Sequence, residues 1–224
     1  MEKGKLIVIE GSCDGIGKTT QKDLLKSKLK KSGYNVLSHH FPSYGEPQAM
    51  LVEKYLKGEL GDLKNNSPYF INTIYAIDRA IIYEQKLKKH IDDGEIVLLD
   101  RYTTSSLIYQ GALMDNLDDR KEFINYVNEY EYQKLNIKEP DLVIFLKAPY
   151  ECVQEFSKDR TNKDLHEQND EYMKKVYDNA NFIADYLNWS VINYVENGKL
   201  KTIDEINNEI IEIINKKLNT NIQK

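Results

Sequence analysis

The chain has 224 residues, 41% of them hydrophobic and 30% charged, which suits one soluble α/β-sized domain with a buried core. A net charge of −5 without a long basic block argues against a nucleic-acid polymer as ligand, because polymer binding rests on neutralising many phosphates. Two cysteines are too few for a disulfide framework or a zinc site, no apolar run reaches transmembrane length, and Met1-Glu2-Lys3-Gly4-Lys5 runs straight into a strand, so a cytoplasmic protein away from membranes is expected.

The first predicted element is the strand Leu6-Ile7-Val8-Ile9. It leads through Glu10-Gly11-Ser12-Cys13-Asp14-Gly15-Ile16-Gly17-Lys18-Thr19-Thr20 into a helix with Leu24, Leu25 and Leu29 on one face. Strand, glycine-rich turn and Lys-Thr at a helix start make the layout of a phosphate-binding loop. Glycines let backbone N–H groups converge on phosphate oxygens, and the helix N-terminus adds a favourable dipole. Gly11, Ser12, Gly15, Ile16, Gly17, Lys18, Thr19 and Thr20 are the candidates for this cradle, with Lys18 reaching the β- and γ-phosphates and the Thr19 hydroxyl on Mg²⁺. One feature is irregular. The usual pattern has its first glycine where this chain has Ser12, and Gly11 lies six residues before Gly17, so the turn carries one extra residue upstream of an intact phosphate-facing half.

Further along, Ser32-Gly33 ends the helix and residues 34–38 read as a second strand. A loop around Phe41-Pro42-Ser43-Tyr44-Gly45 precedes a helix over 48–57. A long helix is predicted over 68–90, with Pro68 in its first turn and Ile71, Ile74, Ile81 and Ile82 as its buried stripe. Asp93-Gly94 breaks to a strand over 95–99, followed by helices over 103–113 and 118–135, a strand over 142–146, a helix over 170–187 and a last strand over 190–194. Thr202 and Glu205 stand at capping-box spacing before a C-terminal helix whose apolar face is Ile203, Ile206, Ile210, Ile213 and Ile214. Apolar strands alternating with helices predict a five-stranded parallel sheet covered on both faces, in a single domain over 1–224, with a short polar lid loop over about 157–170.

In such a sheet, ligands gather at the C-terminal strand ends. There the third strand ends in Asp100-Arg101-Tyr102. Arg101 suits a bidentate clamp on donor and acceptor phosphates, and Asp100 suits either magnesium-bound water or a proton. Tyr75 and Arg79 share a helix face, so that a ring can stack on a base while the guanidinium bonds its edge. Taken singly, each has a plain structural alternative: a surface Asp-Arg pair, and a core tyrosine with a solvated arginine.

Together with Phe41-Pro42, Tyr55-Leu56…Gly58-Glu59, Tyr75-Ala76…Asp78-Arg79, Asp100-Arg101-Tyr102-Thr103-Thr104-Ser105 and Pro140-Asp141-Leu142-Val143, the loop gives the chain a resemblance to the thymidylate kinases that runs nearly end to end. The resemblance implies MgATP + dTMP ⇌ ADP + dTDP on a P-loop kinase fold, with ATP and Mg²⁺ as cofactors and a homodimer as the assembly. It implies Asp14 on the deoxyribose 3′-hydroxyl, and Phe41 lining the pocket with a cis bond to Pro42. It places Tyr75 on thymine, Arg79 at the base edge, Arg101 between the two nucleotides' phosphates, Tyr44 and Ser105 in the substrate site, and Tyr109 near the sugar's 2′ position. Lys18, Asp100, Arg101 and Arg160 are the implied catalytic set, with Arg160 the lid cation and Thr19 and Asp100 the metal ligands. His166 reads as a surface residue. The chain departs from the family pattern in the extra loop residue and in Tyr44, where many members have an arginine. A kinase for another (deoxy)nucleoside monophosphate, or a weakly active nucleotide-binding relative, stands as the alternative.

Overall fold

In a computed structural model, residues 3–63, 65–152 and 164–224 are described. The chain opens with β1 (Lys5–Gly11), whose side chains from Leu6 to Gly11 are all buried. A strand apolar on both faces belongs in the middle of a covered parallel sheet, and β1 takes that place. It pairs in parallel with β3 (Ile96–Asp100) on one side and β4 (Leu142–Lys147) on the other. With β2 (Val36–His40) and β5 (Ser190–Asn193) outside them, the order is β2-β3-β1-β4-β5 and every pairing is parallel.

Side-chain alternation then sends the two faces of the sheet to different helices. Ile7, Ile9, Leu98 and Ile144 pack with Leu25 and Leu29 of α1 (Lys18–Lys31) and with the C-terminal helix. Leu6, Val8, Val97 and Leu99 pack with Ile82, Leu87 and Ile91 from the long helix. That helix is α3 (Pro68–Ile82), continued through one π turn (Tyr83–Leu87) into α4 (Lys88–Asp92). Between β2 and α3 lies α2 (Met50–Leu56). After β3 come α5 (Thr103–Tyr109) and α6 (Leu117–Val127), and α6 also runs on through a π turn (Asn128–Lys134). The helix α7 (Asp170–Tyr186) covers Phe145 through Tyr172, Val176 and Ala180.

The five-stranded parallel sheet and its flanking helices thus follow the sequence pattern, with four differences. The second strand runs to His40, two residues beyond its predicted end, so that His40 pairs in register with Asp100 at the ligand edge. A hairpin of β6 (Val195–Glu196) and β7 (Lys199–Leu200) follows the fifth strand. Its Asn197-Gly198 turn has positive φ at both residues, the conformation that Asn-Gly favours in two-residue hairpins. In α8 (Ile203–Leu218) the capping box of Thr202 and Glu205 is formed, but Ile203 is 56% exposed because it sits at the first helical position, before the face that meets the sheet. Ile211 is buried in its stead. Finally, residues 164–169 of the expected lid form a turn that borders a cavity lined also by Asp14 and Arg101. The Asp164 carboxylate caps it by accepting from the N–H groups of His166 and Glu167, both at 2.9 Å, and Leu165 N–H donates to the Leu56 carbonyl at 3.0 Å.

One buried polar contact fixes α7 against α5. The Asn179 side-chain amide donates to the carbonyls of Leu107 (2.9 Å) and Ile108 (2.7 Å), which belong to the last turn of α5, where helix acceptors lack partners of their own. Asn179→Ala is expected to lower the unfolding free energy by about 1–3 kcal/mol, because the carbonyls stay buried without a donor. Urea unfolding midpoints measure this, and an unchanged midpoint would contradict the assignment.

Candidate active site

The phosphate loop starts where β1 leaves the sheet. Ser12 N–H donates to the Leu146 carbonyl at 2.9 Å, one step beyond the Gly11–Leu146 pairing, and the Ser12 hydroxyl accepts from Ala148 N–H at 3.4 Å. The extra residue is therefore taken up on the strand side, and Cys13 is buried in the core. Burial pushes its thiol up to about 11. A side chain on Gly11 would meet Ile16 Cγ2 at 2.7 Å, so only glycine lets the strand pass the loop this closely. Gly17 caps α1 with φ 88°, in the left-handed region open to glycine. Ile16 is buried, and its carbonyl accepts from the Tyr194 hydroxyl; Thr20 is exposed at the same helix start, while Gly15 turns the loop with φ 80°. The Lys18 ammonium donates to the Cys13 carbonyl at 2.9 Å and lies 3.5 Å from Asp14, so it is held inside the loop.

At the end of β3, Asp100 Oδ2 accepts from the Thr19 hydroxyl at 2.6 Å and faces His40 Nδ1 at 3.3 Å. Burial works against its charge, but the His40 hydrogen bond, the Lys18 ammonium and the Thr19 hydroxyl outweigh it and hold the carboxyl far below the usual carboxylate range. Its other oxygen, Oδ1, is buried with no hydrogen-bond partner among the described residues. An ionised carboxylate with a spare oxygen beside a threonine hydroxyl suits a hard divalent cation such as Mg²⁺.

Arg101 has φ 67°, a strained backbone for a non-glycine residue, and its N–H donates to the Ile9 carbonyl at 3.2 Å. Its guanidinium donates to Asp14, to the Tyr109 hydroxyl at 3.2 Å and to Ser105 Oγ at 3.3 Å, and lies 3.8 Å from Glu10. The Tyr109 hydroxyl in turn donates to Asp14 at 2.9 Å. Beneath them the buried Glu10 carboxylate accepts from Ser105 Oγ at 2.6 Å, Thr104 Oγ1 at 3.0 Å and Gly11 N–H at 3.2 Å. Glu10 had no role assigned from sequence, although an acid near the end of an otherwise apolar buried strand is a signal.

From this charged cluster a cavity of about 390 Å³ extends to Phe41, Tyr75 and Arg79, with Tyr44 on its wall. Phe41 is buried and joined to Pro42 by a cis peptide. Tyr44 is 55% exposed and stacks on His40 with ring centroids 6.2 Å apart. Arg79, expected at the base edge, lines the cavity and is also tied into its wall. It is fully buried and bidentate to Glu131 at 2.6 and 2.7 Å, with Asn72 and Ser106 also on Nη2. Among the described residues, Nη1 bonds the Tyr102 carbonyl at 3.4 Å and no side chain. Glu131 lies far along the sequence on a π turn, and no local pattern announces it. His166 corrects the surface reading outright: it is 5% exposed and lines the cavity, because its ring is inserted among those of Tyr55, Tyr109 and Tyr172. Arg160 lies outside the described residues.

A glycine loop before α1, Lys18 within it, an ionised Asp100 on Thr19 and an arginine at the neighbouring strand end define a P-loop phosphotransferase. The comparisons narrow this. The sequence model of the family described as thymidylate kinase matches residues 9–210. A thymidylate kinase from Thermoanaerobacter sp. (strain X514) is 35% identical over 177 residues, 78% of this chain and 80% of the relative. A probable thymidylate kinase 1 from Saccharolobus solfataricus is 34% identical over 215 residues, 96% of this chain and 98% of the relative. A solved thymidylate kinase from Candida albicans shares the fold, with TM-score 0.73 at 24% identity and coverage of 99% of this chain and 96% of that one. The chain belongs to the thymidylate kinase family, which are nucleoside monophosphate kinases with ATP as phosphate donor.

Glu131→Ala is expected to cost about 3–5 kcal/mol of stability, because it strands the buried Arg79 charge. Chemical denaturation measures it, and a loss below about 1 kcal/mol would show that the pair is not the anchor of this wall.

Proposed function

We propose that the protein transfers the γ-phosphoryl group of MgATP to dTMP, giving ADP and dTDP. The observation that carries this reading is the Asp14–Arg101–Tyr109 triangle, which joins the phosphate loop to the head of an aromatic-walled cavity. Gly11, Ser12 and the residues from Gly15 to Thr20 would hold the ATP phosphates, with Lys18 on the β- and γ-oxygens. Thr19 and Asp100 would hold Mg²⁺, which supplies charge neutralisation on the transferring group when bound. Arg101 then stands between donor and acceptor phosphates, where its fixed fork positions both. Asp14 takes the 3′-hydroxyl and Tyr109 excludes ribose. Phe41 and Tyr75 enclose the base, with Arg79 Nη1 at its edge. Ser105 secures Arg101, and Tyr44 offers a hydroxyl where relatives offer a cation. Arg160 is retained as the lid cation.

We also propose one domain acting as a homodimer in the cytoplasm. Phe70 (47% exposed) and Ile77 (39% exposed) lie two turns apart on the outer side of α3 and offer apolar surface for a second copy.

Coupled ADP-release assays across dTMP, dUMP, dGMP and thymidine test the reaction. The expected result is highest kcat/KM on dTMP, with Lys18→Ala at background. Equal rates across the acceptors would favour a broader kinase, and wild-type turnover at the Lys18→Ala level would favour a nucleotide-binding relative.

A further inference from the structure

Residues 164–169 approach the acceptor cavity with one ring. The His166 imidazole stacks on Tyr109 with centroids 5.6 Å apart and planes 22° from parallel. It meets Tyr55 and Tyr172 edge-on at 5.5 and 5.3 Å, and its Nε2 lies 3.0 Å from the Tyr55 hydroxyl. Tyr55 belongs to α2, Tyr109 to α5 and Tyr172 to α7, so one ring ties three elements together. Tyr172 adds a second hold, its hydroxyl donating to the Tyr109 carbonyl at 2.8 Å.

We infer that His166 is a positioning residue for substrate selection: its ring holds Tyr109 in the orientation that sets Tyr109 against the sugar. The inference rests on the dTMP reading above. From the phosphate side Tyr109 is fixed by its hydroxyl contacts to Asp14 and Arg101 and by the guanidinium lying 5.1 Å from its ring centre, and the ring is buried in one apolar cluster with Tyr55, Ile108, Ala112 and Tyr172. A face-on ring adds a contact that depends on the orientation of the Tyr109 plane, so it restricts the torsional freedom of that ring further. His166 does this without adding charge beside Arg101. Burial pushes its pKa down to about 4, with Asp14 opposing and Arg101 assisting, so the ring is uncharged at neutral pH. Asp164 and Glu167 of its own turn, and the hydroxyls of Tyr55, Tyr109 and Tyr172, are the other titratable groups around it. Asp164 is committed to capping the turn.

The test compares kcat/KM for dTMP with that for its ribose counterpart, 5-methyluridine 5′-monophosphate, in wild type, His166→Ala and His166→Phe. The ratio of the two values is independent of the fraction of active enzyme, so poor folding alone does not move it. With a loosened Tyr109, His166→Ala is expected to lose roughly tenfold of the deoxyribose preference. His166→Phe, which keeps a ring on Tyr109 but drops the Tyr55 bond, is expected to retain it within about threefold. An alanine variant that discriminates as well as wild type overturns the inference while leaving the dTMP reading intact. So does a phenylalanine variant that loses as much as alanine. A wild type that shows no turnover of dTMP removes the reading itself and the inference with it.

Discussion

Three parts of the molecule converge on Arg101. Its backbone, bent into the left-handed region, is bonded to β1 through Ile9, and its side chain meets Asp14 of the phosphate loop and Tyr109 of α5. A non-glycine residue in this conformation costs about 1–3 kcal/mol and persists only where its surroundings over-determine it. Here the surroundings are two carboxylates, a phenol and a serine hydroxyl on a single charge. Burial disfavours that charge, and Asp14 first, then Tyr109 and Glu10, outweigh it. The sheet supplies the reason this geometry is possible. Parallel pairing of β1 with β3 sets Ile9 opposite Asp100, so the loop after one strand and the residue after the other emerge side by side.

The two buried arginines of the site illustrate different uses of the same group. Arg79 is neutralised by one bidentate partner and closed into the wall, so its contribution is mainly shape and a single remaining donor. Arg101 is shared among several partial partners around the mouth of the phosphate loop, an arrangement that can be re-divided when phosphates enter. Asp100 completes the contrast. It keeps one oxygen for Thr19 and His40 and leaves the other without a bond among the described residues. A carboxylate held ionised against burial is stable from neutral pH downward until that carboxyl finally protonates. Because its folded pKa lies below the unfolded value near 3.9, the stability it contributes is lost only as pH falls through the acid range beneath that value.

Much of this was legible in the chain before any coordinates. Apolar runs such as Leu6-Ile7-Val8-Ile9 and Leu142-Val143-Ile144-Phe145-Leu146 announce buried parallel strands, and Gly15, Gly17 and Lys18 announce the loop. Asp100-Arg101-Tyr102 falls at a strand end, so its place at the ligand edge follows from topology. The less legible features depend on long-range partners. Nothing in the sequence near Arg79 reveals Glu131, and nothing near His166 reveals three tyrosines drawn from three helices. Their side chains read as polar and solvent-facing until the fold encloses them. The Asn197-Gly198 dipeptide carries a hairpin signal that the strand-to-helix reading of this stretch passes over, whereas the two π turns carry none, since helical periodicity continues across them. The extra loop residue is visible as a count, but its place beside β4 depends on the Ser12–Leu146 hydrogen bond between distant parts of the chain.

The account stands on Asp14 and Arg101 acting as one unit on the acceptor nucleotide, and a double-mutant cycle tests that most directly. kcat/KM for dTMP would be measured for Asp14→Asn, Arg101→Lys, the double variant and wild type. Coupling of about tenfold or more, with the double variant little worse than the worse single one, is the predicted result. Losses that simply multiply would contradict it, and would mean that the two side chains serve the reaction independently.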